Sequence, residues 1–255
     1  SIKEVSNGLE TFCPQLKIDL SDLSFADLGC LEIKHGAPEP VINSVKLATN
    51  ELLDMGISPL MLGGEHSLTS GCVESVAKHY PPLILLQLDA HADLREEWLG
   101  SSYSHACSMR RCLEVLPSKK LFQLGIRSGT KEEFEDIEKK NRFIPHTIGQ
   151  TAKGLKKALM PYLSQPIYLT VDLDWFDPSI MPGTGTPEPG GFFWQDFAEV
   201  IEVLKDHNIV GADIVELAPQ LDISGSSSIL AAKVTRSLIM LLHLNKFRNI
   251  KRKGI

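Results

Sequence analysis

The stretch Leu83 to Arg95, LILLQLDAHADLR, constrains this chain more than any other. Leu83, Ile84, Leu85, Leu86 and Leu88 follow Pro81-Pro82 as a nearly continuous apolar run, the pattern of a strand buried on both faces of a parallel sheet. The run then stops. Asp89, His91 and Asp93 follow at alternate positions, so an extended backbone would project all three side chains to one side. Two carboxylates and an imidazole at the carboxyl end of a buried strand occupy the usual ligand position of open α/β sheets.

A solvated turn is the simpler reading of three such residues, but Ala90, Ala92 and Leu94 between them are apolar. A second apolar strand, Tyr168 to Asp174 (YLTVDLD), ends in the alternating acids Asp172 and Asp174. After a third strand, Gly63-Gly64 permits a tight turn that presents Glu65 and His66 just before a helix. Three strand ends bearing such groups argue for one composite metal site.

Helical spacing predicts helices over 37–55, 68–79, 105–115, 131–140, 151–163, 193–205 and 226–244. Short apolar runs predict strands over 57–62, 83–88, 120–125, 142–145, 167–172 and 209–217. The first 33 residues are weakly patterned and read as irregular surface structure. Residues 176–191, FDPSIMPGTGTPEPGG, hold four prolines and four glycines and exclude a regular element. Coming directly after two acids, this long loop is expected to face a substrate. Strands alternating with helices imply a parallel sheet with right-handed crossovers and helices on both faces.

At 255 residues and 43% hydrophobic, the chain can bury a large core as one α/β domain. A net charge of −6 provides no general attraction to nucleic acid or to anionic membrane, so neither partner is expected. The basic end, Lys246 to Lys253, reads as a solvated helix terminus or tail. Five scattered cysteines without a C-x-x-C pair argue against a disulfide framework or zinc knuckle and point to a reducing cytoplasm. No secretory signal and no 18-residue apolar span are read.

His66, Asp89, His91, Asp93, Asp172 and Asp174 thus collect at the strand ends. Four carboxylates packed together repel unless counter-charge is supplied, and two divalent cations would supply it. Oxygen-rich sites with few imidazoles suit Mn²⁺ or Mg²⁺, with Fe, Co, Ni and Zn left open. Two ions about 3.5–4 Å apart can share a water, lower its pKa and hold hydroxide ready for hydrolysis of a polarised carbon or phosphorus centre.

These residues resemble the ureohydrolase (arginase and agmatinase) family. GGEHS at Gly63 to Ser67, DAHADLR at Asp89 to Arg95, SHACSMRR at Ser104 to Arg111, DLDWFDPSIMPGTGTPEPGG at Asp172 to Gly191 and DIVELAP at Asp213 to Pro219 match its motifs in order. The resemblance implies a three-layer α/β/α sandwich with a central parallel sheet and a dinuclear manganese centre that splits guanidino compounds into urea and an amine. Carried over, one ion takes His66, Asp89, Asp93 and Asp172, and the other takes His91, Asp89, Asp172 and Asp174. Asp93 also orients the hydroxide. Glu216 matches the guanidinium-binding carboxylate, and His105 matches a histidine that shuttles protons to the leaving amine. A homotrimer or homohexamer is a further family expectation.

The family usually begins with a strand and a glycine-rich loop ahead of the segment that here opens Ile2 to Asn7. The expectation is therefore a single ureohydrolase domain over 1–255 lacking that amino-terminal strand. Alanine follows His105, where many relatives have glycine. GTGTPEPGG resembles agmatinases, so agmatine leads as substrate, followed by its aminopropyl derivative and then arginine. Two readings of other kinds are a non-catalytic metal-binding scaffold and a single-zinc deacetylase of related fold. Trp175, Phe176 and Trp194 read as core packing, Arg110 and Arg111 as surface ion pairs, and Trp98 as only weak evidence for cation contact. His35, His79, His146, His207 and His243 lack a site context.

Overall fold

A computed structural model describes residues 1–33, 36–140, 142–144 and 150–252, excluding the side chains of 245–252. The chain opens with α1 (Ile2–Ser6) and a hairpin of β1 (Phe12–Cys13) against β2 (Ile18–Asp19). Next come α2 (Pro38–Asp54), β3 (Leu60–Leu62), α3 (Thr69–His79), β4 (Ile84–Leu88) and α4 (Ser108–Cys112). The remainder is β5 (Leu121–Leu124), α5 (Lys131–Lys140), α6 (Thr151–Leu159), β6 (Pro166–Asp172), α7 (Trp194–Leu204), β7 (Asn208–Val215) and α8 (Ser226–Arg252).

Five strands form one parallel sheet in the order β3-β7-β6-β4-β5. Alternate residues feed opposite faces. Ile84, Leu86 and Leu88 of β4 and Ile167, Leu169 and Val171 of β6 join α6, α7 and α8 in one apolar cluster. Leu85 and Tyr168 instead join a second cluster with α2, α3, α4 and α5. The result is the three-layer α/β/α sandwich. Burying each such Leu or Ile contributes about 1.5–3 kcal/mol, so a one-residue slip that exchanged the two faces would disturb every layer. Gly211 of β7 sits beneath the Tyr168 ring, which a Cβ would approach to 3.0 Å.

Several expectations need correction. The first 33 residues are not wholly irregular: Cys13 is buried, Ile2 and Leu16 pack on the core, and Arg236 of α8 donates to the carbonyls of Glu10 and Phe12 at 2.8 and 3.2 Å. Contacts with α8, rather than local periodicity, hold these short elements. The helix expected over 105–115 divides into a 3-10 turn, His105–Cys107, and α4. In the segment 142–145, Phe143 forms an isolated bridge to Gln123 rather than a strand, and Pro145 lies outside the described residues, as do His35 and His146. The span Ser226–Leu244 does meet the length and hydropathy for a membrane helix (mean hydropathy 1.3), yet 61% of it is buried, and α8 packs on β7 as a core helix.

Candidate metal centre

Because β3, β4, β6 and β7 run parallel, their carboxyl ends meet at one edge of the sheet. After β3, Gly63 and Gly64 adopt φ of 85° and 82°, left-handed values that glycine takes without strain, and turn the chain so that His66 lies over the strand ends. Glu65 caps the following turn by accepting from the Ser67 amide at 3.0 Å.

β4 ends at Leu88, the chain bends at Ala90, and the alternating extended pattern does not persist through Asp93. Asp93 has φ 55°, a left-handed conformation for a non-glycine residue. Pairing with the neighbouring loop holds it: Ala92 N donates to Ser128 O at 3.1 Å, and Leu94 N donates to the buried Glu133 Oε1 at 2.8 Å. This turn separates the side chains, sending Asp93 toward His66 and His91 toward Asp174. Glu216, just past β7, is likewise left-handed at φ 64°, ending the strand two residues before the expected boundary.

His66 Nδ1 lies 3.0 Å from Asp89 Oδ2, 3.0 Å from Asp93 Oδ2 and 3.2 Å from Asp172 Oδ2. His91 Nδ1 lies 2.8 Å from Asp174 Oδ2 and 3.7 Å from Asp89 Oδ1. His66, Asp89 and Asp93 form one group that could hold a metal ion, and Asp89, His91 and Asp174 form another. Asp89 is shared. Asp172 adjoins the first group through His66, and its Oδ1 accepts from the Asp174 amide at 2.9 Å. Glu216 Oε1 accepts from the His66 amide at 2.9 Å. His105 is exposed on its 3-10 turn.

The electrostatics are those of too many acids in one dry place. Burial pushes Asp172 and Asp174 upward, and neighbouring carboxylates add to the shift. Burial and the Asp89 charge push Asp93 up to about 7. For Asp89 burial acts upward, but His66 and His91 outweigh it and hold this carboxylate below its ordinary range. Burial opposes charge on His91, yet Asp174 and Asp89 push its imidazole up to about 11. His66 is raised too, the three carboxylates overcoming burial. Burial also raises Glu216. Protons on the imidazoles and on the raised acids supply positive charge to this cluster.

One atom tests whether metal suits these residues. His66 Nδ1 is buried and makes no hydrogen bond, although three carboxylate oxygens surround it. Nε2 of the same ring lies 3.0 Å from the Thr170 hydroxyl, so an Nε2–H donated there leaves Nδ1 with a free lone pair. A lone pair and carboxylates converging on one point are the donor set of a divalent cation.

Several supporting residues escaped the sequence reading. Gln87 Nε2 donates to Asp89 Oδ2 at 2.7 Å, and Gln123 Nε2 donates to Gln87 Oε1 at 2.7 Å. Thr186 Oγ1 donates to Asp174 Oδ2 at 3.3 Å. Gln87 and Thr170 carried a signal, being polar residues inside buried strands two positions before Asp89 and Asp172 and hence on the same face. Among the aromatics, Trp175 is fully buried and stacked on Phe192 with centroids 4.3 Å apart, while Trp98 lies 4.0 Å from the Arg95 guanidinium carbon. Arg110 and Arg111 pair with Glu96 at the surface. His79 meets Asp54, and His207 Nδ1 lies near the Val203 carbonyl, both at helix ends.

Fold and site define an α/β protein with a carboxylate and imidazole centre suited to metal. The arginase family model matches residues 1–241. The agmatinase of Bacillus subtilis (strain 168) is 35% identical over 241 residues, covering 94% of this chain and 82% of that protein. The N(1)-aminopropylagmatine ureohydrolase of Thermococcus kodakarensis is 34% identical over 236 residues, covering 91% and 79%. The crystal structure of the agmatine ureohydrolase of Thermoplasma volcanium superposes with a TM-score of 0.80 at 34% identity, covering 100% of this chain and 84% of that one. The chain belongs to the arginase family, hydrolases that act on guanidino C–N bonds.

Proposed function

We propose that this chain hydrolyses agmatine to putrescine and urea, using two Mn²⁺ ions. His66, Asp89, Asp93 and Asp172 would hold one ion, and His91, Asp89, Asp172 and Asp174 the other. The observation that carries this reading is the position of Asp89 between two imidazoles, with His66 Nδ1 lacking a hydrogen bond among three carboxylates. The ions would neutralise the acids and activate a water nucleophile.

The remaining roles fall to the protein's own groups. Glu216 receives the planar guanidinium, for which a carboxylate is the natural partner. Its Oε1 is already fixed by the His66 amide. A cation entering beside Glu216 counters the burial that raises this acid. Asp93 orients the attacking water. His105, exposed on its 3-10 turn, carries a proton to the departing amine as the C–N bond breaks.

Similarity to the Bacillus subtilis agmatinase, 35% identical over 241 residues, is the ground for the choice of substrate. That supports agmatine over arginine. The aminopropyl derivative of agmatine, which carries an additional amine, is the second reading, supported by the 34% identity to the Thermococcus enzyme. Five free thiols suit a reducing cytoplasm. A homotrimer or homohexamer follows from family resemblance and is testable by sedimentation.

The test is urea release by Mn²⁺-loaded protein offered agmatine, aminopropylagmatine, arginine and guanidinobutyrate in parallel, with Asp89→Asn as control. Activity highest on agmatine and absent from the control is expected. No urea from any of them, with bound metal verified, would overturn the proposal.

A further inference from the structure

The roles above use Nδ1 of His91 and leave its other nitrogen unassigned. Nε2 points away from the carboxylates, toward Glu188 Oε1 at 3.8 Å. Glu188 belongs to the irregular loop after β6, 100 residues beyond the end of β4 at Leu88, and two sets of contacts bring it here.

The first set runs through Ser128. Its hydroxyl donates to Glu188 Oε1 at 2.8 Å. Ser128 also bridges to His91 as a parallel partner, its amide donating to Ala90 O at 2.9 Å and its carbonyl accepting from Ala92 N at 3.1 Å. The residue that anchors the carboxylate is thus registered against the histidine it faces.

The second set runs through Arg127. One terminal nitrogen donates to the carbonyls of both Asp174 and Glu188, at 2.7 and 2.8 Å, and Nε donates to Pro189 O at 3.2 Å. The other donates to Gly125 O at 3.3 Å and Trp175 O at 3.4 Å. One guanidinium therefore fastens the loop carrying Glu188 to the strand end carrying Asp174. Backbone carbonyls occupy its donors, so it acts as a clamp.

We infer that Glu188 is a positioning residue for the metal site containing His91: by accepting from Nε2–H it fixes the tautomer whose Nδ1 is free to bind a cation. A carboxylate behind a ligating imidazole orients the ring and makes it a better donor. At 3.8 Å the pair stands beyond hydrogen-bond range, and the Glu188 side chain, 36% exposed, has room to close the gap by turning about its Ser128 anchor. The inference rests on the two-ion reading above.

The alternative is that Glu188 only anchors its loop through Ser128. Mn²⁺ uptake, measured by competition with a fluorescent chelator and by the spin-coupled Mn²⁺ resonance spectrum, separates the two. The variants are Glu188→Gln, Glu188→Ala and Ser128→Ala. The expected result is two ions in the unaltered protein and, in both Glu188 variants, about a 10- to 100-fold weakening of one ion only. Ser128→Ala weakens the same ion by less. The melting midpoint of the metal-free protein moves little in all three. Unchanged uptake in Glu188→Ala overturns the inference, as does equal weakening of both ions with a fall in that midpoint. Fewer than two ions in the unaltered protein would overturn the two-ion reading and this inference with it, a failure visible before any variant is compared.

Discussion

Glu216 accepts a hydrogen bond from the amide of His66 at 2.9 Å, joining residues 150 positions apart. The turn after β3 that sets His66 also orients the acid proposed to receive the guanidinium. Glu216 Oε1 is committed to that amide, so substitution with glutamine preserves the bond and removes the charge. A charge-assisted bond contributes about 1.5–3 kcal/mol, so Glu216→Gln should lower kcat/KM by about 10- to 100-fold. Steady-state urea release checks the loss, and Mn²⁺ content measured alongside should match that of the unaltered protein.

Asp89 touches both imidazoles, so its loss should damage both groups together. Asp89→Asn should lower Mn²⁺ affinity by more than the about 10- to 100-fold that an outer partner costs, and urea release should vanish at Mn²⁺ concentrations that saturate the unaltered protein. Retention of both ions with full affinity would show that Asp89 is not the shared ligand.

The raised acids and imidazoles fix how metal-free stability varies with pH. Asp93, ordinarily near 3.8, is pushed up to about 7, so the folded state holds a proton that the unfolded chain has released. That contribution is complete below the ordinary value and is lost as pH rises through about 7. His91, raised from 6.5 to about 11, acts in the same direction at higher pH. Asp89 is lowered, and its contribution is lost only at acid pH, as pH falls through its folded value. Metal-free protein should therefore melt at progressively lower temperature from about pH 5 to about pH 8. Added Mn²⁺ should raise the midpoint more at the upper end, because binding displaces the retained protons. Calorimetry at several pH values checks both slopes.

Gly125, just past β5, has φ 104°, and a Cβ there would meet the Trp175 ring at 2.4 Å and Asp89 O at 2.9 Å. Neither the fully buried indole nor the strand-end backbone has room to yield. Gly125→Ala should destabilise the fold by about 2 kcal/mol or more. Chemical denaturation of the metal-free variant measures this.

The sheet was legible because its strands are short, largely apolar runs bounded by turn residues. Asp89, Asp172 and His66 were legible for the same reason, each following an apolar strand in a pattern with no structural need for charge. The conformation of Asp93 was not, since its left-handed turn depends on Ser128 and Glu133, which approach only after folding. The amino-terminal hairpin escaped because Arg236, more than two hundred residues away, supplies its contacts. Arg127 and Glu188 escaped likewise: carbonyl contacts made by a loop leave no periodicity to read. His105 stood out only through its motif, and in the fold it is an exposed residue on a 3-10 turn.

The dinuclear centre proposed for this chain requires two cations that share Asp89. Anomalous X-ray diffraction at the manganese edge from crystals grown with Mn²⁺ tests it most directly. Two peaks are predicted, one beside His66 and Asp93 and the other beside His91 and Asp174, both in contact with the Asp89 carboxylate. A single peak, or two peaks of which one does not touch Asp89, would contradict the account.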